Sequence, residues 1–453
     1  MVTLRFNTGT LEIHGAPSSF ECPSDCLWDE RSHCFRAPAA AYSRVVMDLI
    51  RREVPYDDEA RAYEKLELEF GVFREPRPYQ TEALQAWRKA RFQGLVVLPT
   101  GAGKTHVAMM GIERCQRSTL VVAPTLDLVR QWHDRLRANF GQTIGIVGGG
   151  EYRLEPLTVT TYDSAYLHME NFGDKFGLVI FDECHHLPSG GYRYAAESCL
   201  APFRLGLSAT PERSDGGEQS YPDLIGQVVF RKDITELTGE YLADYETIRL
   251  AIPLTPAERA AYDEAREIYR GFVRSNGIRM SSPNGWGTFI QLASRSKSGR
   301  EALAAYHRQR TLSFAAPSKL EYLEHLLWQH RSDRSLIFTQ DNASAYAISK
   351  RFLVPAITHQ TKVSERSDIL AGLSEGRFNV IATSRVLNEG VDVPEANIAI
   401  IMSGSGSVRE HVQRLGRILR KSSGKRATLY ELVAEGTAEQ FTSQRRREHN
   451  AYR

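Results

Sequence analysis

Residues 179–186 read VIFDECHH, and the way this stretch is taken decides the rest of the chain. Taken as a ligand list, Asp182, Glu183, Cys184, His185 and His186 describe a zinc site. Taken as the end of a buried strand, they describe a site for nucleoside-triphosphate hydrolysis. The stretch continues an apolar run from Leu178 to Phe181, which is how a strand covered on both faces of a parallel sheet reads. Alternate side chains of a strand face opposite ways, so if the strand continued, Asp182, Glu183, Cys184 and His185 would not converge on one zinc. An acid pair ending such a strand divides the work instead. Asp182 is expected to hold Mg2+, directly or through water, and Glu183 to orient and deprotonate the attacking water.

The other half of that chemistry lies upstream, in LPTGAGKT at 98–105. It follows the strand-like GLVVLP and precedes a helix-like run, the context a phosphate loop requires. Thr100, Gly101 and Gly103 belong to the loop, and the glycines let backbone amides close around phosphate oxygens. Lys104 is expected to reach the β- and γ-phosphates and Thr105 to hold the Mg2+. Leu98 stands where the strict pattern has glycine. The bland alternative is a glycine-rich turn with a chance lysine.

The 453 residues suit about three domains. Hydrophobic residues make up 42%, charged residues 25%, and the net charge is +2, an ordinary globular balance that leaves room for a locally basic groove. No apolar run has the length of a membrane helix, and the N-terminus lacks a signal peptide's pattern. An intracellular, cytoplasmic location with no membrane partner is therefore expected, nucleoid-associated in a prokaryote. Cys22, Cys26 and Cys34, with His33, cluster without a zinc-knuckle spacing. They read as packing residues or free thiols.

Three segments are expected: a small N-terminal domain at 1–70, with the acidic stretch after Val54 as a linker; an α/β domain at 71–235; and a second at 236–453. Strand-like runs GLVVLP, TLVVAP, LTVTTY, LVIFDE and LGLSAT mark the first α/β domain, and SLIFTQ, AITHQ, NVIATS, IAIIMS and TLYELV the second. A helical insertion is expected at about 255–330. Thr255, Pro256 and Glu258 make a capping box with proline at the first helical position. Tyr262, Ala265, Tyr269 and Phe272 then recur at helical spacing.

The order of motifs resembles superfamily two helicases. RPYQ at 77–80 is similar to the adenine-recognition motif, with Arg77 and Gln80; APTLDLVRQW and VTTYDSA to motifs Ia and Ib; DECH to a DEAH-type box; SAT at 208–210 to motif III. TSRVLNEGVDVP at 383–394 and QRLGRILR at 413–420 are similar to motifs V and VI. The resemblance implies two tandem RecA-like parallel-sheet motor domains using ATP and Mg2+. It assigns Gly390, Asp392 and Gln413 to nucleotide binding, and Arg417 and Arg420 to fingers acting across the interdomain cleft. Such a finger contributes about 10³–10⁵ in rate in related systems. It also links His185 to Ser208 and Thr210.

VPAITHQT, LNEGVDVPEANIAIIMSGSGSVREHVQRLGRILR and LYELV narrow the resemblance to the XPB type in its compact archaeal and bacterial forms. That implies an ATP-dependent DNA helicase or duplex translocase, 3′-to-5′, serving repair or transcription. It implies a damage-recognition-like N-terminal domain, a helical thumb, and single-stranded or duplex-junction DNA as partner. A nuclease or a repair or transcription protein is expected as a candidate further partner. Thr125, Arg130, Thr160, Thr161, Arg213, Asp215 and Thr383 fall in motifs that contact nucleic acid. The family's Arg-Glu-Asp element reads Arg213, Ser214, Asp215 here, which puts strand separation rather than ATP hydrolysis in question. Arg295, Lys297, Arg300, Arg308 and Arg310 offer phosphate contacts or a solvated helix face, and the arginines at 445–447 a solvated tail. Gly148–Gly150 offer close backbone approach or a flexible loop. The rival readings are an RNA-directed helicase, a scaffold or motor subunit of a nuclease assembly, and a zinc protein.

Overall fold

A computed structural model describes residues 1–16, 20–22, 25–72, 74–213, 215–282, 284–384, 386, 396–404 and 426–446. The chain divides into two compact units, Met1–Glu236 and Leu237–Arg453.

The first unit opens on a hairpin of β1 (Val2–Asn7) and β2 (Thr10–His14). Thr8 and Gly9 join them at φ 45° and 78°, the left-handed pair that a two-residue turn with right-handed strand twist requires. β3 (Leu27–Asp29), β4 (Cys34–Pro38) and β5 (Tyr56–Asp58) complete a sheet of order β3-β4-β2-β1-β5. The acidic stretch after Val54 is therefore partly a strand, pairing parallel with β1, and not a free linker. The chain beyond it lies along the larger sheet: Ala62 N donates to Asp174 O at 3.0 Å and Leu66 N to Gln116 O at 2.9 Å. Leu200, from the far side of this unit, sits in the N-terminal core with Leu4, Leu11, Ile13, Val45 and Leu49. The small sheet's core thus draws one residue from the segment before β12.

The large sheet comprises β6 (Gln93–Val97), β7 (Thr119–Ala123), β8 (Ile144–Gly148), β9 (Glu151–Arg153), β10 (Leu157–Thr161), β11 (Leu178–Asp182), β12 (Phe203–Ser208) and β13 (Val228–Arg231). Their order is β13-β6-β12-β11-β7-β10-β8-β9. Every pairing is parallel except that of β8 with β9. Every residue of β7, β10 and β11 is buried, which is why β7 and β11 read as near-continuous apolar runs rather than alternating ones; the buried threonines of β10 spend hydroxyls on backbone carbonyls. Gly148, Gly149 and Gly150, all at positive φ, form the turn from β8 to β9. A side chain on Gly148 would meet Ser164 Oγ at 3.0 Å.

The second unit holds β14 (Asp244–Ile252), β15 (Ser335–Phe338), β16 (Ala356–Ile357), β17 (Val380–Thr383), β18 (Ile398–Ile401) and β19 (Arg426–Ala434). The order is β14-β19-β18-β15-β17-β16, parallel throughout. Two α/β units with mainly parallel sheets agree with a tandem RecA-like fold. Helices Pro256–Ser275, Gly285–Arg295 and Lys297–Phe314 follow β14 and pack around Ile278, Phe289, Ala293 and Ala302. The next helix, Pro317–Gln329, buries Leu323 and Leu326 against the sheet, so the helical layer with its own core ends near Phe314. Glu258 Oε2 accepts from Thr255 N at 2.7 Å, and Glu258 Oε1 from Ser318 N at 3.0 Å. One carboxylate thus caps two helices. No helix among the described residues is long and apolar enough to cross a membrane.

Candidate nucleotide site

In a parallel sheet every strand delivers its carboxyl end to the same edge, and ligands bind there. β6, β12 and β11 are neighbours in this sheet, with Ser208 level with Val97 and Asp182 level with Leu207. Three segments far apart in sequence therefore meet: the loop after β6, the SAT segment and the acid pair.

Gly101 and Gly103 take φ 87° and 83°, a backbone that side chains rarely adopt. A Cβ on Gly103 would lie 2.5 Å from Gln80 Nε2. Helix Lys104–Cys115 starts immediately after the loop, so its free N–H groups and positive end face the cradle. Lys104 Nζ lies 3.5 Å from Glu183 Oε1 and donates to Leu98 O at 3.4 Å. Thr105 Oγ1 accepts from Arg135 Nη1 at 3.1 Å. A hydroxyl oxygen has a second lone pair for a cation.

The strand β11 ends on Asp182, and Glu183 turns away at φ 47° before a short helical turn, Cys184–His186. The strand does not continue, so alternation is not what separates the side chains. The turn itself sends Glu183 toward Lys104 and packs Cys184 fully buried beneath Gly206. Burial pushes the Cys184 thiol well up, which opposes the thiolate a zinc ion needs. Among the described residues the group able to hold a metal through His, Cys or carboxylate donors is Glu12, His14 and Cys34, remote in sequence from Asp182.

Asp182 Oδ2 accepts from Trp132 Nε1 at 2.8 Å and Oδ1 from Glu183 N at 3.1 Å. Burial, then the charge of Glu183, push the Asp182 carboxyl up to about 6. His185 Nδ1 lies 3.5 Å from Glu183 Oε2 and 3.3 Å from Ser208 Oγ, which also accepts from Thr210 N at 3.2 Å. That chain joins the acid pair to SAT. Gln80 Oε1 accepts from Arg77 N at 3.0 Å, and Gln80 Nε2 donates to Ala102 O at 3.0 Å. The RPYQ segment is thereby tied to the phosphate loop.

The proposed phosphate-gripping residues divide. Thr125 and Thr161 cap helices Leu126–Phe140 and Tyr162–Phe172, and Arg130 is exposed. Thr160 and Thr383 are fully buried, with their hydroxyls donated to Val147 O and Ser384 O. Their side chains face inward. Arg213 donates to the His185 carbonyl and pairs with Asp215, Nε to Oδ1 at 2.8 Å. Arg308 pairs with Glu264 at 3.4 Å and Arg310 lies over Phe314, while Arg295, Lys297 and Arg300 are exposed. Ser214, Gly390, Asp392, Gln413, Arg417 and Arg420 lie outside the described residues, as do the side chains of 445–447.

Sequence reasoning missed Trp132, Arg135 and Tyr162, whose hydroxyl donates to Asp182 O at 2.9 Å. Trp132 and Arg135 are three apart on one helix, so they share a face. Nothing local tells which strand end that face meets.

The residues fit a magnesium nucleotide. Thr100 Oγ1, in the loop, is buried with no hydrogen-bond partner among the described residues, a cost that a bound anion would relieve.

Three family models match the chain: a type III restriction enzyme res subunit over residues 73–213, an ERCC3/RAD25/XPB C-terminal helicase over 300–451, and a xeroderma pigmentosum group B damage recognition domain over 4–60. A DNA 3′-5′ translocase XPB2 of Sulfurisphaera tokodaii is 42% identical over 424 residues, covering 93% of this chain and 95% of that one. A DNA 3′-5′ helicase XPB of Kineococcus radiotolerans is 30% identical, covering 80% of this chain and 60% of that one. The crystal structure of the Pyrococcus furiosus Hef helicase domain matches with a TM-score of 0.57 at 19% identity, over 82% of this chain and 97% of that one. It speaks for the fold alone.

Proposed function

The chain belongs to the XPB family of helicases and translocases, and from that premise we propose that it is an ATP-dependent DNA helicase or duplex translocase acting in repair or transcription-linked DNA opening. The observation that carries the ATPase reading is the meeting of Lys104, Thr105, Asp182 and Glu183 at one sheet edge, beside a cradle with an unsatisfied buried hydroxyl. Thr105 and Asp182 would hold Mg2+, which neutralises phosphate charge when bound.

The chain's own residues supply the rest. Lys104 faces Glu183 when no phosphate competes for it. A bound γ-phosphate draws the ammonium away and leaves Glu183 free to take a proton from the attacking water. His185, held between Glu183 and Ser208, carries the position of the base to the SAT segment. Gln80 and Arg77 are assigned to the adenine, and helices Pro256–Ser275, Gly285–Arg295 and Lys297–Phe314 to the thumb. Exposed Arg130, Arg295, Lys297 and Arg300 suit contacts to phosphates that hold a strand without reading sequence. Polarity is expected to be 3′-to-5′, as the names of the relatives say of those proteins.

The test is ATP turnover with single-stranded, duplex and forked DNA or RNA, alongside strand separation. Glu183→Gln should keep ATP binding and lose turnover by about 10²-fold or more. Wild-type-like turnover in that variant sinks Glu183 as base. DNA stimulation should fall steeply with added salt, as phosphate gripping requires. Turnover stimulated by RNA and not by DNA would favour the RNA-directed alternative. Turnover stimulated by DNA without strand separation would make the chain a translocase, the outcome that serine in the Arg213–Asp215 element favours.

A further inference from the structure

A second constellation lies in the N-terminal sheet, away from the nucleotide residues. Glu12 and His14 are two apart on β2 and so share a face. β4 runs antiparallel beside β2, with Glu12 opposite Arg36 and Ile13 opposite Phe35. That register brings Cys34 next to His14 on the same face. The opposite face carries Leu11, Ile13, Phe35 and Ala37 into the core. One carboxylate oxygen, one imidazole nitrogen and one sulfur thus lie within 4.8 Å of one another. Cys34 is fully buried, Glu12 is 8% exposed and His14 sits at the rim.

We propose that Glu12, His14 and Cys34 bind a zinc-class transition-metal ion that ties β2 to β4. The donor set carries the choice of ion. A thiolate, an imidazole and a carboxylate are ligands zinc accepts, while magnesium and calcium prefer oxygen alone. Three protein donors leave a fourth position to water. The carboxylate already divides its oxygens in the way such a site needs. Glu12 Oε1 accepts from Asn7 Nδ2 at 2.8 Å, while Oε2 lies 2.9 Å from His14 Nε2. Burial raises the Glu12 carboxyl, but the hydrogen bonds from Asn7 and His14 outweigh it and hold the group below its usual range.

Two arginines lie near the carboxylate. Arg36 Nε pairs with Glu12 Oε1 at 3.7 Å, leaving Oε2 to His14, while its Nη1 reaches Asp29 Oδ2 at 3.5 Å and its Nη2 donates to Thr10 Oγ1 at 2.9 Å. Arg5, opposite Glu12 on β1, pairs with Glu59 at 2.8 Å. Coordination replaces the Glu12–His14 hydrogen bond and the Ser32–Cys34 contact of 3.3 Å. The Cys34 proton leaves to solvent, so binding weakens as pH falls. Cys22 and Cys26 take no part. They are free thiols that hydrogen-bond to each other and pack on the core beside Asp48 and Arg52.

The experiment is a titration of the full chain, stripped of metal, with Co2+, followed by the thiolate-to-cobalt charge-transfer band and by displacement with Zn2+. About one ion per chain is expected, with the band present in wild type and in Cys22→Ser and Cys26→Ser. Cys34→Ser should abolish the band while leaving ATP turnover unchanged, which shows that the chain is still folded. His14→Gln, at the rim and outside the core, should weaken Co2+ binding at least about tenfold. A wild-type chain without the band, a band that survives Cys34→Ser, or affinity unchanged in His14→Gln overturns the proposal.

Discussion

Asp182 is held by a neighbour that no local pattern announces. Trp132 is almost wholly buried and its indole N–H is spent on Asp182 Oδ2. Trp132→Phe keeps the ring and removes the donor, leaving a buried acceptor short of one bond. A loss of about 1–3 kcal/mol in urea unfolding is expected. The same carboxyl sets a pH dependence. Its folded pKa of about 6 lies above the ordinary aspartate value of about 3.9, so the folded form binds the proton more tightly than the unfolded chain. Its ionisation therefore costs stability at neutral pH, and that cost fades as pH falls through about 6. In chelator, wild type should gain roughly 1 kcal/mol relative to Asp182→Asn between pH 7 and pH 5. Parallel melting curves for the two proteins across that window would contradict it.

At the scale of elements, the helix Pro256–Ser275 was legible to its first turn. Thr255 Oγ1 accepts from Glu258 N at 3.3 Å and Glu258 returns the bond, as the capping box requires. Tyr262 and Ala265 are buried as their spacing demands. The second role of Glu258 was not legible, because Ser318 lies 60 residues further on. Thr255→Ala should cost about 1 kcal/mol. Glu258→Ala loses bonds to two helices and should cost more, about 2–3 kcal/mol. Equal costs in chemical denaturation would deny the double cap. The strand β11 shows the same division. Its buried apolar run was readable, but the left-handed turn at Glu183 that ends it was not, since any residue type but glycine is an unlikely occupant of that conformation.

At the scale of each whole unit, long-range pairs decide what holds together. In the second unit Lys319 and Glu439, 120 residues apart and both fully or almost fully buried, pair at 2.9 Å. Lys319 also donates to Ser313 O at 3.1 Å, and Glu439 Oε2 accepts from Ala434 N at 2.9 Å. Removing either partner alone strands the other charge. Lys319→Met and Glu439→Gln should each destabilise this unit by about 3–5 kcal/mol, with the double variant costing well under the sum. Additive losses in a double-mutant cycle would show the two to be uncoupled. In the first unit Leu200, far along the chain, packs into the core of the N-terminal sheet.

The sequence by itself determined the α/β class, the strand-loop-helix of the phosphate cradle, the acid pair and the helix caps. These features depend on side-chain period, backbone preference and partners within a few residues. Only the tertiary structure decided that β12 lies between β6 and β11, and so brings Ser208 to His185. It alone turned Thr160 and Thr383 inward, set Trp132 on Asp182 and Arg135 on Thr105, and drew Glu12, His14 and Cys34 together. Those outcomes rest on sheet order and strand register, which join residues tens of positions apart and which no short window of sequence encodes.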